Sequence, residues 1–135
     1  MKAKAITENH LFQKAYSKGS SRRGKYVAVY ILKDLANAKW RRADPCHRPL
    51  NRLGLTVGKK YGGAVERVRA KRLMRESYRL IEKEYAGSLK HGLLVVITAR
   101  QAMKEASMPD VRADLVSAFE YLGVLRRPEK EDVKE

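Results

Sequence analysis

Between Gly63 and Gly87 the chain contains no glycine or proline and is rich in Ala, Leu, Met, Arg, Lys and Glu. Such a run predicts one long helix from Gly63 to about Tyr85. At about 100° per residue its two sides differ sharply. Ala70, Leu73, Met74, Ser77, Tyr78, Leu80 and Ile81 fill one arc, and Arg69, Lys71, Arg72, Arg75 and Arg79 occupy the opposite one. The apolar arc has to be packed against other elements, and the basic arc has to stay outside. The cations extend upstream through Lys59, Lys60 and Arg67. From Arg52 to Arg79 there are nine Lys/Arg against two Glu, an excess of seven charges in 28 residues and about half of the chain's formal +15. A solvated surface is the ordinary meaning of a basic helix face. Here Arg72, Arg75 and Arg79 follow helical spacing and repel one another unless an outside anion neutralises them, and Glu76 and Glu82 relieve this only in part. Guanidinium groups grip phosphate with paired, directional hydrogen bonds. RNA is the expected partner, bound through counterion release and weakened by salt.

The 135 residues suit one compact domain, expected over 1–125, with the charged tail 126–135 expected to be disordered. A hydrophobic fraction of 44% supports a core, and 30 Lys/Arg describe a surface for acidic partners. No apolar run approaches the roughly 20 residues of a spanning helix, and MKAKAITENHLFQKAY lacks a signal-peptide core. No membrane partner is expected, and the expected location is cytoplasmic. The single cysteine, Cys46, cannot form an internal disulfide, and Cys46, His47, His10 and His91 show no zinc spacing. No structural metal is expected.

Elsewhere the pattern is legible in pieces. Leu11, Phe12, Ala15 and Tyr16 lie near helical spacing between Thr7 or Asn9 as caps and Gly19 as a stop, which predicts a short amphipathic helix. After a basic turn at Gly19 to Gly24, KYVAVYILK predicts a strand with Tyr26, Ala28, Tyr30 and Leu32 on one face. The stretch 34–51 has no sustained period and is read as a long hairpin loop. RLGLTVGKK predicts a strand with Leu53, Leu55 and Val57 on an apolar face, and a nearly bare opposite face that permits close approach. LLVVIT at 93–98 is apolar on both faces, as a central covered strand would be. A last helix is expected from about Pro109 to Leu122. The implied class is α+β, with helices on a small mixed sheet; a ferredoxin-like arrangement also suits the order.

Three constellations bear on chemistry. Gly54 to Gly58 followed by Lys59 resembles a phosphate loop but is one residue short of the Walker spacing, and Lys60 stands where Ser or Thr is needed. A glycine turn remains, with helix-start amides open to a phosphate. Phe12, Tyr16, Tyr26 and Tyr30 would serve as core aromatics in many domains. Here Lys14, Lys18, Arg22, Arg23 and Lys25 crowd the same segments without an acid. Rings among cations suit an unpaired RNA strand, whose bases stack while its phosphates are neutralised. No paired-carboxylate or Ser/His/Asp set is present, and His10 with His91 is a poor acid/base pair for RNA cleavage. No catalytic side chain is assigned.

These residues carry a resemblance. HLFQKAYSKG, KYVAVYILK, RLGLTVGKKYGGAVERVRAKRLMRE, the strand ending at Arg100 and the final helix together resemble the protein subunit of bacterial ribonuclease P, over about three-quarters of the chain. The specific part is Lys59, Lys60, Gly63, Ala64, Val65, Arg67, Val68, Arg69, Lys71, Arg72, Arg75 and Glu76. The resemblance implies a two-layer α/β sandwich of order αβββαβα, with a sheet of about four strands and a left-handed βαβ crossover carrying the basic helix, against the usual hand. It implies that the chain binds the catalytic RNA subunit through Lys59, Lys60, Arg67, Arg69, Lys71, Arg72, Arg75 and Arg79. The 5′ leader of precursor tRNA would lie on Phe12, Tyr16 and Tyr30, with Tyr26 added from the strand-face pattern. It also implies an endonuclease whose chemistry belongs to the RNA, with magnesium bound mainly by RNA, and with no protein partner required. Two features depart from the family pattern. Val68 replaces an asparagine, removing a hydrogen-bonding or water-mediated metal contact, and the segment 34–51 is an extension. A structural protein of the ribosome would explain charge and size but not the aromatic face, and an independent nuclease is the third alternative.

Overall fold

The structure, a computed structural model, describes residues 4–5, 9–33, 51–85, 88–89 and 93–125. Expectations that fall on 34–50, the tail 126–135, Thr7 and His91, and on the side chains of Asn9 and His10, lie outside the described residues. Among the described residues three α-helices pack on one mixed sheet: α1 (Asn9–Lys18), α2 (Ala64–Glu84) and α3 (Met108–Tyr121). The strands are β1 (Lys4–Ala5), β2 (Ser20–Arg23), β3 (Val27–Lys33), β4 (Arg52–Thr56) and β5 (Leu93–Ala99), arranged β1-β4-β5-β3-β2. The α+β class holds, and the expected order gains a two-residue strand at its start.

The strand pairing corrects two readings. Residues 20–23 are an edge strand paired antiparallel with β3, not a turn. All four of its residues are exposed, so no burial alternation marked it as a strand. Nor are β3 and β4 paired as a hairpin, because β5 lies between them, antiparallel to the first and parallel to the second. The parallel pair β4 and β5 is joined through α2, so the basic helix sits in a βαβ crossover.

Alternation along the strands divides the core in two. Val27, Val29, Ile31, Val95 and Ile97 face α2 and α3, where Ala70, Met74, Tyr78, Ile81, Leu115 and Phe119 complete the larger cluster. Leu94 and Val96 face α1 and meet Ala15, with Leu11, Phe12, Tyr30 and Leu32 packed around them. β5 is therefore buried on both sides, as its unbroken apolar run requires. Leu53, Leu55 and Val57 join the larger cluster as expected, but Leu80, assigned to the core arc of α2, is 38% exposed.

Local chemistry sets the boundaries. The Gly63 N–H donates to Glu66 Oε1 at 3.0 Å, opening α2. At the start of α3 the Ser107 N–H and hydroxyl both donate to the Asp110 carboxylate, and Pro109 lies in the first turn, where its missing N–H costs nothing. The Gly19 N–H donates to the Ala15 carbonyl at the end of α1. A Cβ at Gly19 would lie 2.7 Å from that carbonyl oxygen and 2.8 Å from the Ile31 carbonyl oxygen, so glycine lets α1 approach β3. Buried Asn51 donates to the Tyr78 hydroxyl and accepts from the Leu93 N–H, each at 3.0 Å, which joins the starts of β4 and β5 to α2.

Candidate nucleic-acid interface

With Ala70, Met74, Ser77, Tyr78 and Ile81 turned into the core, helical geometry leaves Arg69, Lys71, Arg72, Arg75 and Arg79 outside, and all five are exposed. Among the described residues, none of these five forms an ion pair. Arg67 is half-buried, and its Nε lies 3.5 Å from the Gly63 carbonyl. Lys59 and Lys60 are exposed on a short 3-10 turn whose third residue, Tyr61, is buried and anchors it. Burial raises the Tyr61 hydroxyl above its ordinary pKa; the charge of Glu66 adds to this and that of Arg69 opposes it. All eight cations expected on this surface therefore lie on α2 or on the turn leading into it. Val65 and Val68 are also exposed here, at 74% and 58%. Val68 borders two shallow depressions, one shared with Val65, Arg69 and Arg72, the other with Val57, Arg67 and Lys71. An apolar side chain thus stands among the cations.

The aromatic residues behave less uniformly. Phe12 and Tyr30 pack on the smaller cluster, and the Tyr16 ring meets Tyr30 edge-on, centroids 4.9 Å apart and planes at 84°. Tyr16 is 39% exposed, so these rings border the part of the sheet that α1 leaves open. Tyr26 does not join them. It precedes the first residue of β3 and packs against the larger cluster, which corrects its assignment to the face of Tyr30. Its backbone explains the displacement. The Asp114 carboxylate on α3 accepts from the N–H groups of Tyr26 at 3.0 Å and Val27 at 3.1 Å, and the Tyr26 carbonyl accepts from the Arg100 N–H at 2.9 Å. The Arg100 guanidinium also donates to the Gly24 carbonyl. A Cβ on Gly24 would lie 2.5 Å from an Asp114 oxygen, so a larger residue there would displace the carboxylate that pins this turn.

Several polar residues at this end were not singled out as site candidates from sequence. The Tyr16 hydroxyl lies 3.0 Å from Thr56 Oγ1, which lies 2.7 Å from Thr98 Oγ1. Thr98 also lines a depression with Lys25, Lys60, Tyr61 and Arg100. The bare side of β4 was visible as a pattern, but its pairing with Thr98 depends on β5 being its neighbour. Arg52, on the same strand, is 3% exposed, so it belongs to the interior and not to the basic surface.

Cations on α2 can neutralise phosphates, and the rings of Phe12, Tyr16 and Tyr30 offer surfaces for bases. Among the described residues no group of three His, Cys, Asp or Glu is placed to hold a metal ion, and the donor set around α2 is cationic, a poor fit for magnesium. No helix of the described residues is long and apolar enough to cross a membrane.

Comparison with known proteins gives a consistent result. The family model described as Ribonuclease P matches residues 1–123. A Clostridium botulinum ribonuclease P protein component is 32% identical, covering 92% of this chain and 98% of its own. The corresponding protein of Alkaliphilus metalliredigens is 35% identical over 82% of this chain and 86% of its own. The solved structure of the Staphylococcus aureus RNase P protein superposes with a TM-score of 0.66 at 24% identity, covering 93% of this chain and 100% of that one. That of the Thermotoga maritima RNase P protein gives 0.64 at 22% identity, covering 84% and 93%. These two likenesses bear on the fold.

Proposed function

The chain belongs to the ribonuclease P protein family, and from that premise we infer that it binds the catalytic RNA of ribonuclease P through α2 and the Lys59–Tyr61 turn, and the 5′ leader of precursor tRNA through the strip at Phe12, Tyr16 and Tyr30. In this reading it promotes endonucleolytic removal of the leader, and the RNA supplies the chemistry. The observation that carries it is the separation of two surfaces on one small fold. An arc of guanidinium and ammonium groups free of ion pairs among the described residues lies on α2, and partly open aromatic rings lie on the other face of the sheet. The first suits folded RNA held by phosphates, and the second suits a strand whose bases are unpaired. Magnesium belongs to the RNA and its phosphates on this reading, in keeping with the cationic donor set of α2.

The test is reconstitution. Purified chain added to its cognate catalytic RNA at low magnesium should increase leader removal and precursor affinity, and an absence of both gains counts decisively against the assignment. Two variants separate the surfaces. Arg72→Ala should weaken catalytic-RNA binding by about 1–3 kcal/mol, as for a charge-assisted contact. Tyr30→Ala should weaken precursor binding while leaving mature tRNA binding almost unchanged, and equal losses for both ligands would remove the leader assignment.

A further inference from the structure

The open strip holds three linked hydroxyls that stacking and phosphate neutralisation leave unused. Tyr16 of α1, Thr56 of β4 and Thr98 of β5 form a chain with oxygen separations of 3.0 and 2.7 Å. Thr56 and Thr98 are direct partners in the β4–β5 register. At one end the Tyr16 ring stands edge-on to Tyr30; at the other Thr98 borders the depression lined by Lys25, Lys60 and Arg100. Three hydroxyls own three protons, and the two links use two of them. One O–H is left to point outward. Run one way the links leave that donor on Thr98, run the other way on Tyr16, and converging on Thr56 they leave it there; an end that has donated inward offers lone pairs only. A ligand that brings acceptors alone can engage only one end, whereas a ligand with both a donor and an acceptor can engage both. A phosphate, which has acceptors alone, satisfies a single end. A base edge or a ribose 2′-hydroxyl carries both functions.

We propose that Tyr16, Thr56 and Thr98 form a nucleoside-reading element, which holds the neutral donor-and-acceptor edge of one unpaired nucleotide beside the Tyr16 and Tyr30 rings. The cations of the adjoining depression face its phosphate. The assignment rests on the leader-cleft reading above and adds to it that Thr56 and Thr98 set preference among leader nucleotides.

The experiment uses the holoenzyme, chain plus cognate catalytic RNA, with precursor tRNAs whose leader nucleotides are replaced singly, by another base or by the 2′-deoxy form. Affinity is measured for the wild type, Thr98→Val and Thr56→Val. The wild type should lose about three- to tenfold at one position, the size of one or two neutral hydrogen bonds. Both variants should be insensitive at that position, and all three proteins should bind leaderless tRNA equally. A response to base replacement identifies the base edge as the ligand, and a response to the 2′-deoxy form identifies the ribose hydroxyl. A wild type indifferent to every replacement, or variants that keep full wild-type sensitivity, overturns the proposal. Should Thr56→Val fail to fold, Thr98→Val at the outer end of the chain decides alone. A wild type that binds precursor and leaderless tRNA equally is a different result, which removes the leader cleft itself and the reader with it.

Discussion

The two faces of the sheet are covered very differently. One carries α2 and α3, 21 and 14 residues long, and its cluster includes Met74, Tyr78, Ile81, Leu115 and Phe119, each no more than 2% exposed. Among the described residues the other carries only α1, 10 residues long, and its fully buried members are Ala15, Leu94 and Val96. At about 1.5 Å per residue a helix of that length spans roughly 15 Å, too little to close the face. Phe12 and Tyr30 are therefore only partly buried, and the Thr56 and Thr98 hydroxyls lie beside them. The comparison teaches that the sheet keeps its large packed core on one side and leaves rings and hydroxyls partly open on the other, where helical cover ends.

The largest expected effect tests the closed face. Phe119 is fully buried and meets Tyr78 edge-on, centroids 5.9 Å apart, so Phe119→Ala should cost about 3–5 kcal/mol in chemical denaturation. A loss below about 1 kcal/mol would mean that this side is not the stabilising core. Asp114 links the faces, since it projects from α3 and holds the backbone at the start of β3. Asp114→Ala should cost about 1–3 kcal/mol by stranding part-buried N–H groups, and Asp114→Asn, which keeps one acceptor, should cost less. Equal stability for all three proteins would show that the pin is unnecessary.

A smaller effect concerns pH. Burial is the main cause that holds the Tyr78 hydroxyl well above its ordinary range; the charge of Glu82 adds to this, and the hydrogen bond from Asn51 opposes it. The folded chain then keeps a proton that the unfolded chain releases near pH 10. The associated stability is present below about pH 10 and is lost as pH rises further, at up to about 1.4 kcal/mol per pH unit. Tyr78→Phe should remove that component, and an unchanged alkaline slope would contradict the burial argument. The smallest effect is expected outside both faces. Val68→Asn, on the exposed arc of α2, should change stability by less than about 0.5 kcal/mol. A larger change would mean that Val68 packs within the protein.

Much of this was legible in the sequence because it follows from neighbours along the chain. The α2 arc was read from spacing, and its limits from Gly63 and Tyr85, which are the observed caps. The final helix, expected over about 109–122, begins at Met108 and ends at Tyr121. The eight cations of α2 and the turn before it, and the rings of Phe12, Tyr16 and Tyr30, were also accessible this way. Tyr26 was misread because alternation was extended one residue before the strand begins, where Asp114 and Arg100 hold the backbone instead. β2 was missed because an exposed edge strand of Ser and Arg carries no periodic apolar signal.

The sequence alone determined the three helices and the longer strands, the apolar side of most of them and where positive charge concentrates, because periodicity and charge are properties of consecutive residues. Only the tertiary structure decided that β5 lies between β3 and β4, that Asp114 reaches a backbone 88 residues away in Tyr26, and that Thr56 meets Thr98 across 42 residues. Those contacts depend on backbone pairing. Backbone N–H and C=O groups are nearly the same at every residue, so the order of side chains does not announce which strands they join.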